Sequence, residues 1–378
     1  MWPIVLRVAL DATSLHGART GVGVFASELL SRLGLRSELD VAAFAVTWRG
    51  RGRLAELVPP GVRAVGRPMA AQPLRQCWRR VDHPRIDWWI GAADVVHGPN
   101  YVVPPTRGAA EVVTIHDLTP WRFPELTNRD TRAYPGLVAR AVRRGAWVHT
   151  VSRFVADEVL DLLGVAPKRL VTIPNGASAL PPCRPGTDAA AGRSLAGGDR
   201  YVLSLGTVEP RKGLPALVSA FDGVAAADPD VRLVLAGPDG WGADALTAAI
   251  AAAHHRDRIL RLGWVGGDDR AALLRGATAF AYPSRYEGFG LPPLEAMAAG
   301  VPVLTTTAGA LPEVVGDAAV LVPPDDVDEL AGALAAMLAD PARREALVRA
   351  GRERLACFSW ERCAEEMVDL YRSADAAR

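Results

Sequence analysis

Two adjacent cations, Arg211 and Lys212, are the residues with the clearest chemical meaning in this sequence. They lie in YVLSLGTVEPRKGL, where a predicted strand ends at Gly206 and a predicted helix begins near Gly213. Free N–H groups and the helix dipole at a helix start favour an anion, and the two side chains add positive charge. Arginine can grip two phosphate oxygens, whereas lysine acts as a point charge. The segment predicts a phosphate site, with a solvated basic turn as the alternative for an isolated pair.

Two carboxylates, Glu287 and Glu295, stand eight residues apart in SRYEGFGLPPLEAMAAG. Gly288 and Gly290 between them allow the backbone to approach a ligand closely. Proline is favoured at the start of a helix, so Glu295 is predicted in the first helical turn, where the dipole keeps a carboxylate ionised. An ionised carboxylate accepts hydrogen bonds from two hydroxyls, as a ribose diol offers. The alternatives are a helix-capping Glu295 and a surface Glu287.

Weaker signals lie in the first half of the chain. Gly21 and Gly23 are predicted just before a helix, where two glycines can cradle a phosphate, although the full dinucleotide fingerprint is absent. His116 and Asp117 directly follow a predicted strand in EVVTIHDLTP. A histidine at that place can donate a hydrogen bond or move a proton, and a purely structural role is the alternative.

Short apolar runs alternate with amphipathic segments along the whole chain. The predicted strands are VLRVAL, VAAFAV, DVVHG, EVVTIH, WVHTVS, LVTIP, YVLSLG, VRLVLAG, ILRLGWV, AFAYPS and VPVLTT. Strands that alternate with helices are typical of parallel sheets covered on both faces. Ligands of such sheets lie beyond the carboxyl ends of the strands, where the motifs above are found.

The alternating pattern restarts after a segment rich in Pro, Gly and Ala. We therefore predict an α/β protein with two Rossmann-like, doubly wound domains facing an inter-domain cleft. The length of the chain, 378 residues, also suits two domains. The first domain is predicted at 1–178, a linker at 179–198 and the second domain at 199–355. The last segment, 356–378, is predicted as a helix that packs back on the first domain.

Composition excludes several other classes of protein. The net charge is +1 over 378 residues, so nucleic acid is not an expected partner. Only two lysines occur among the 43 basic residues, which indicates a GC-rich codon bias and weakens arguments from arginine clusters. The four cysteines lack paired metal-ligand spacing and fit a reducing cytoplasm. No apolar run approaches the roughly 18 residues of a membrane span.

Residues 49–80 are strongly basic and are accompanied by tryptophans. The arginines are Arg49, Arg51, Arg53, Arg63, Arg67, Arg75, Arg79 and Arg80. They stand against one acidic residue, Glu56, and Trp78, Trp88 and Trp89 lie within or just after the segment. Such a surface suits peripheral contact with an anionic membrane and a lipid-linked acceptor, with codon bias as the alternative.

Taken together, the motifs resemble family 4 of the retaining glycosyltransferases (GT4), which have the GT-B fold. The family's hallmark, two glutamates with seven residues between them, corresponds to Glu287-GFGLPPL-Glu295. The further matches, in order, are TGVGVF, TIHDLTP, TVSRF, IPNG, SLGTVEPRKG, LVLAGPDGW, LGWV, GVPVLTT, LPEVVGDAA and FSWE. They span nearly the whole chain, and an ordered series is far more specific than any one motif.

The resemblance implies a role for each candidate side chain. Arg211 and Lys212 bind the donor diphosphate, and Glu295 binds the ribose. Glu287 holds hydroxyls of the donor sugar, and His116 hydrogen-bonds near the transferred sugar. The implied contacts of the donor with glycines and backbone involve Gly21, Gly23, Gly206, Val265, Gly288, Phe289, Gly290 and Leu291. One departure is Thr207, since many members of the family have arginine directly after the strand-end glycine.

The resemblance also implies a reaction. EPRK, HDLTP and AGPDGW are similar to the mannosyltransferase-like branch, which favours GDP-mannose as the donor of mannose. The expected chemistry is retaining transfer by front-face attack on a glycan or glycolipid acceptor, with no metal and no cofactor. A UDP-sugar transferase (glucosyl, galactosyl or N-acetylglucosaminyl), a nucleotide-sugar epimerase and a non-catalytic scaffold are the alternatives.

Overall fold

A computed structural model describes residues 5–17, 21–48, 50–127, 131–178, 180–182 and 187–378 of the chain. The chain forms two compact units. The first comprises residues 1–176 and 359–378, and the second comprises residues 177–358.

The described part of the first unit contains a 7-stranded parallel sheet in the order β3-β2-β1-β4-β5-β6-β7. Its strands are β1 Leu6–Asp11, β2 Leu39–Phe44, β3 Val62–Val65, β4 Val95–Gly98, β5 Ala110–Ile115, β6 Trp147–Thr150 and β7 Leu170–Thr172. All neighbouring strands pair in parallel, and β1 lies between β2 and β4. The strand order therefore reverses beside β1, as in a doubly wound fold.

The described part of the second unit repeats this plan with a 6-stranded parallel sheet in the order β10-β9-β8-β11-β12-β13. Its strands are β8 Arg200–Leu205, β9 Val231–Ala236, β10 Ile259–Gly263, β11 Ala279–Tyr282, β12 Val303–Thr306 and β13 Ala319–Val322. Here the order reverses between β8 and β11. The predicted pair of doubly wound parallel sheets is confirmed.

The helices cover the two sheets. Those of the first unit's main segment are α1 Gly21–Leu33, α2 Leu54–Leu57, α3 Ala71–Trp78, α4 Asp87–Ile90, α5 Thr119–Arg122, α6 Tyr134–Arg143 and α7 Arg153–Leu163. The second unit has α8 Thr187–Ala196, α9 Leu214–Ala227, α10 Ala243–Ala252, α11 Gly267–Gly276, α12 Leu291–Ala298, α13 Leu311–Val315, α14 Val327–Ala339 and α15 Pro341–Leu355. The last helix is α16 Trp360–Ala376. Among the described residues, no helix is both long and apolar enough to cross a membrane.

Central strands are buried on both faces, which explains their unbroken apolar sequences. Val202, Leu203 and Phe280 are fully buried in the second sheet, and Val112 and Val113 in the first. Every strand predicted from the sequence has a counterpart. Two strands were not predicted, β3 and β13. Both lie at an edge of their sheet and have only four residues, so they carry little of the apolar run that marks a buried strand.

The predicted linker, 179–198, contains the helix α8, which belongs to the second unit. Alanine and glycine here permit close packing of two helices rather than flexibility. A Cβ atom added at Gly192 would come within 2.0 Å of the carbonyl oxygen of Ala272 in α11. Within this segment, residues 179 and 183–186, with Cys183, lie outside the described residues.

The last helix, α16, is part of the first unit. Ser359 caps it by accepting a hydrogen bond from Arg362 N. Tyr371 of α16 is fully buried, and its hydroxyl lies 2.8 Å from Nδ1 of His97 at the end of β4. A buried polar contact of this kind fixes where the helix lies on the sheet.

Candidate active site

The candidate site lies where the strand order of the second sheet reverses. The loops after β8 and β11 leave neighbouring strands at this point and diverge to the helices α9 and α12. Such a switch point forms a natural ligand-binding crevice. Arg211 and Lys212 lie in the first loop, and Glu287 lies in the second.

The two loops are joined directly through their backbones. Arg285 N donates to the carbonyl oxygen of Arg211 at 2.7 Å. Gly213 has φ 63° and separates the 3-10 turn Pro210–Lys212 from α9. A Cβ atom at Gly213 would lie 2.1 Å from the carbonyl oxygen of Pro283, so a side chain there would push the loops apart. Glycine at this position therefore brings both cations to the second loop.

The structure brings Arg211, Lys212 and Glu287 together in one ion-pair network. Lys212 Nζ lies 2.5 Å from Glu287 Oε1, and Arg211 Nη1 lies 3.0 Å from Glu287 Oε2. Tyr282, the last residue of β11, donates its hydroxyl hydrogen to Glu287 Oε1 at 2.9 Å and accepts one from Lys212 Nζ at 2.5 Å. Glu209 Oε2 accepts from Arg211 Nε at 2.7 Å. Both cations are thus held by carboxylates of the protein.

Burial and charge act against each other in this network. Burial by itself would raise the pKa of Glu287, but Lys212 and Arg211 outweigh it and lower that pKa to about 2. Burial lowers the pKa of Lys212, Arg211 lowers it further, and Glu287 only partly offsets both. Burial and then Glu287 raise the pKa of Tyr282 well above its usual value. Glu287 is therefore a charged acceptor, and Tyr282 is a neutral donor.

The backbone of Glu287 is held by the segment after β12. Ala310 N donates to the Glu287 carbonyl oxygen at 2.9 Å. Gly309 has φ 60°, and a Cβ atom there would lie 2.3 Å from the same oxygen. Thr305 Oγ1 donates to the carbonyl oxygen of Tyr282 at 2.8 Å. The Glu287 loop is therefore fixed from both β11 and β12.

Glu295 lies in α12, but not in its first turn as predicted. The helix begins at Leu291, because Gly290 adopts φ 106° and turns the chain into the helix there. Glu295 is therefore the fifth residue of α12, beyond the turn where the dipole acts most strongly. Its side chain is 8% exposed, and its Oε2 accepts a hydrogen bond from Arg270 Nη2 of α11.

The remaining residues of the second unit that were predicted to bind the donor offer mainly backbone groups. Phe289 and Leu291 bury their side chains, Phe289 against Phe358, with ring centroids 5.6 Å apart. The N–H groups at the start of α12 have no partner inside the helix and can bind an anion. Gly288 precedes Phe289 in the same loop. Gly206 follows β8, and Val265 lies between β10 and α11, both at carboxyl ends of strands.

Gly21 and Gly23 lie in the first unit, inside α1 rather than before it. Gly21 is the first residue of the helix, and residues 18–20 before it fall outside the described residues. A Cβ atom at Gly23 would lie 3.0 Å from the carbonyl oxygen of Ser14. The observed contact of Gly23 is thus a close approach between the helix and the turn after β1.

His116 directly follows β5, as predicted. Its Nε2 donates to the carbonyl oxygen of Pro99 at 2.7 Å, and its ring meets Phe25 edge-on, with centroids 5.3 Å apart. Burial lowers the pKa of His116, so the ring is neutral near pH 7. With the hydrogen on Nε2, Nδ1 is an acceptor. Asp117 beside it accepts hydrogen bonds from the Tyr101 hydroxyl and from Thr119 N, a structural role.

Three residues of the site were not predicted from the sequence. Tyr282 and Glu209 complete the network around Lys212 and Arg211, and Arg270 pairs with Glu295. Tyr282 and Glu209 belong to motifs that were recognised, AFAYPS and EPRK, so their positions at strand ends are the signal that could have revealed them. No local pattern marks Arg270.

The basic surface of the first unit is only partly as predicted. Trp78 is 2% exposed, and its Nε1 donates to the carbonyl oxygen of Pro84, so it is a core residue. Its place on the inner face of α3, with Leu74, explains this burial. Trp88 is 67% exposed. Arg49 and the side chain of Arg51 lie outside the described residues, whereas Arg53, Arg63, Arg67, Arg79 and Arg80 are exposed.

Comparison with known proteins defines the class. The two doubly wound domains have the fold of a sucrose-phosphate synthase from Thermosynechococcus elongatus, with a TM-score of 0.78 at 21% identity, covering 99% of this chain and 100% of that chain. Residues 189–354 match the family described as glycosyl transferases group 1, and residues 19–179 match glycosyltransferase family 4. The fold is GT-B, and the family matches define a hexosyltransferase.

Sequence relatives agree with this assignment. The chain is 31% identical to the O-antigen chain mannosyltransferase B of Escherichia coli, over 93% of this chain and 96% of the relative. It is 34% identical to a D-inositol 3-phosphate glycosyltransferase of Saccharomonospora viridis, over 71% of this chain and 66% of the relative. The chain belongs to glycosyltransferase family 4.

Proposed function

We propose that this enzyme transfers mannose from GDP-mannose to a hydroxyl of a glycan or glycolipid acceptor, with retention of the anomeric configuration. The observation that carries the proposal is the pairing of Arg211 and Lys212 with Glu287 at the switch point of the second sheet. Similarity to an O-antigen chain mannosyltransferase over nearly the whole chain supports mannose as the sugar.

Leaving-group stabilisation is the main electrostatic task of the reaction. The bond between the anomeric carbon and a phosphate oxygen breaks, and negative charge grows on the departing diphosphate. Arg211 and Lys212 stabilise this negative charge. Arg211 does so through hydrogen bonds from its planar guanidinium, and Lys212 does so as a point charge. We propose that they do so without a divalent metal, so that transfer persists in the presence of a chelator.

Glu287 acts as a clamp on the donor rather than as an acid or base. A general base works best with a pKa near the working pH, whereas Lys212 and Arg211 overcome the effect of burial and lower the pKa of Glu287 to about 2. Both of its oxygens also lie in hydrogen bonds or ion pairs. These properties favour front-face attack, in which the departing phosphate accepts the proton of the acceptor hydroxyl.

Glu295 and the start of α12 hold the rest of the donor. Glu295 accepts the ribose hydroxyls, and the N–H groups of Phe289, Gly290 and Leu291 meet the phosphate and the sugar. Val265 lies beside the base, with contact mainly through backbone. For the first unit we propose only the roles that the sequence motifs imply, a hydrogen bond between His116 and the transferred sugar and a contact of Gly21 and Gly23 with the diphosphate.

Steady-state kinetics separate these roles. Glu295→Ala is expected to raise the donor KM with a smaller effect on kcat, because the ribose contact is the same in the ground state and the transition state. Lys212→Ala is expected to lower kcat by about 10²-fold or more, because its charge acts mainly on the leaving group. An unchanged donor KM in Glu295→Ala would contradict the ribose assignment.

The nucleotide and the stereochemistry need separate measurements. A thermal-shift screen with GDP-, UDP- and ADP-sugars identifies the donor, because a ligand that binds only the folded state stabilises it. NMR of the product then reports whether the anomeric configuration is retained. A shift with UDP-sugars alone would replace GDP-mannose by the UDP-sugar alternative, which the range of transferases among the relatives also allows.

A membrane-bound acceptor is proposed from the basic surface of the first unit. Trp88 is exposed, and the exposed Arg67 donates to its carbonyl oxygen. Arg53, Arg63, Arg79 and Arg80 are also exposed in this region. Sedimentation with vesicles of anionic phospholipid, compared with zwitterionic vesicles, tests the contact. Equal recovery with both kinds of vesicle would remove the membrane from the proposal.

A further inference from the structure

Arg270 links α11 to the carboxylate that we propose binds the donor ribose. It lies in the first turn of α11, where its N–H donates to the carbonyl oxygen of Gly266 at 2.8 Å. Its guanidinium reaches α12 and donates through Nη2 to Glu295 Oε2. The Arg270 side chain is 31% exposed and that of Glu295 is 8% exposed. The contact therefore joins a buried carboxylate to a partly exposed cation.

Only one oxygen of Glu295 is used in this contact. Among the described residues, Glu295 Oε1 accepts no hydrogen bond from a protein donor. A buried carboxylate with no cation beside it is costly, so Arg270 compensates the charge of Glu295. A carboxylate can also rotate about its last torsion, and a hydrogen bond to one oxygen restricts that rotation. The pair therefore presents Oε1 in one orientation.

We infer that Arg270 is a positioning residue that sets the ribose specificity of the donor site by holding Glu295 with Oε1 open to the ribose hydroxyls. The inference rests on the proposed function and adds to it a residue outside the recognised motifs. Because the ion pair with Arg270 restricts Glu295, the ribose contact is preorganised and loses little conformational freedom on binding. Without Arg270, the carboxylate of Glu295 remains, but it has no fixed orientation in which to accept hydrogen bonds from the ribose hydroxyls.

The test compares ribose with deoxyribose on the same variant. The probes are GDP or UDP, whichever binds the wild type more tightly, and its 2′-deoxy and 3′-deoxy analogues, with Kd measured by calorimetry. The variants are Arg270→Met, which keeps an apolar stem but removes the guanidinium, and Arg270→Lys. Arg200→Met is the matched control, since Arg200 pairs with Asp228 at 3.0 Å at the amino end of β8. A ratio of two Kd values on one variant is insensitive to the folded fraction.

We expect the wild type and Arg200→Met to bind at least one deoxy analogue about tenfold more weakly than the ribonucleotide, as for a hydrogen bond to a charged group. In Arg270→Met this penalty should shrink to less than about threefold, because the ribonucleotide loses affinity and the deoxy analogue does not. Partial recovery in Arg270→Lys would support the role of the charge.

Two results would overturn the inference while leaving the diphosphate site intact. One is an undiminished deoxy penalty in Arg270→Met. The other is equal binding of all three probes by the wild type, which would also remove the contact of Glu295 with the ribose. Absence of binding of either nucleotide to the wild type would instead overturn the proposed function, and this inference with it.

Discussion

Lys212 is held by two neighbouring side chains, and each of them affects its charge or its direction. Glu287 forms an ion pair with it at 2.5 Å, and the Tyr282 hydroxyl accepts its hydrogen bond. A lysine on a flexible stem is thereby aimed at one place, as stabilisation of a leaving group requires.

Removal of the Tyr282 hydroxyl tests this positioning. Tyr282→Phe is expected to lower kcat by about tenfold, since a hydrogen bond that involves a charged group contributes on the order of 1.5–3 kcal/mol. The donor KM should change less than kcat. Tyr201→Phe is the control, because the Tyr201 hydroxyl is also buried but donates to the carbonyl oxygen of Leu273. Equal kcat values for the two variants would contradict a specific role of Tyr282.

The charge of Lys212 predicts an alkaline limit of activity. Burial lowers the pKa of Lys212 from its usual value of 10.5, so its charge is present below that lowered pKa and is lost as the pH rises through it. The profile of kcat/KM, which reports the free enzyme, should therefore fall at a pH below 10.5. Because Glu287 raises the pKa of Lys212, Glu287→Gln should move this limb to lower pH. If the alkaline limb of the kcat/KM profile does not move, it reports the titration of a group other than Lys212.

At the scale of single residues, the sequence predicted which side chains belong to the candidate site better than it predicted their contacts. Arg211, Lys212 and Glu287 were recognised at strand ends, but their ion pairs depend on β8 and β11 being neighbours, which no local pattern encodes. The contact of Glu295 with Arg270 joins two helices in the same way. The position of Glu295 in α12 was mispredicted because the helix begins at Leu291, two residues before Pro293.

At the scale of secondary structure, glycines that directly precede helices bring the loops of the candidate site together. Gly213 directly precedes α9 with φ 63°, and Gly290 directly precedes α12 with φ 106°. In both cases a Cβ atom would meet a neighbouring segment, at Pro283 and at Leu311 respectively. These positions therefore couple the geometry of the site to the packing of its helices.

Gly213→Ala tests this coupling. The left-handed backbone and the clash with Pro283 should lower the free energy of unfolding by roughly 1–3 kcal/mol and also lower activity, since Lys212 is the adjacent residue. Gly223→Ala is the control, because Gly223 lies inside α9 with no atom within 4 Å of an added Cβ. Alanine there should leave activity unchanged and stabilise the helix by about 0.5–1 kcal/mol. Similar behaviour of the two variants in urea denaturation would contradict the account.

A chain of buried hydrogen bonds attaches α16 to the first sheet. His149 Nε2 donates to the Ile173 carbonyl oxygen at 2.9 Å, so its Nδ1 accepts from Thr114 Oγ1. Thr114 Oγ1 then accepts from His97 Nε2, and His97 Nδ1 accepts from the Tyr371 hydroxyl. One direction of donation satisfies every member of the chain, with both histidines neutral. Burial accordingly lowers the pKa of His149 to about 4.

Tyr371→Phe should weaken this attachment. It leaves a buried acceptor on His97 without a donor, which costs about 1–3 kcal/mol. Urea denaturation followed by tryptophan fluorescence would measure the change, since Trp360 lies at the start of α16. An unchanged midpoint would show that the hydroxyl hydrogen bond does not stabilise the first unit.

The elements themselves were largely predictable, and the exceptions have physical causes. Long apolar runs such as VRLVLA mark strands buried on both faces, and these were recognised. The edge strands β3 and β13 are only partly buried, and their apolar runs are short: VRAV is interrupted by Arg63, and AVLV has four residues. The helix α8 was mispredicted as a linker because small residues suit both flexible chain and close helix packing.

At the scale of the whole molecule, the candidate site residues are distributed over two units that each contain a doubly wound parallel sheet. The second unit holds the cation–carboxylate network and Glu295, and the first holds His116 and the glycines of α1. Membership of glycosyltransferase family 4 follows from similarity along nearly the full chain. The choice of donor and acceptor rests on fewer residues, because the same fold serves many transferases.

Calorimetric titration with GDP and UDP tests the central claim most directly, which is that Lys212 helps to bind the donor diphosphate. Lys168, the other lysine of the chain, is exposed in the first unit and provides the matched control. We predict that the wild type and Lys168→Ala bind one of the two nucleotides with the same Kd, and that Lys212→Ala binds it at least about tenfold more weakly. Equal affinity of folded Lys212→Ala and wild type would contradict the claim.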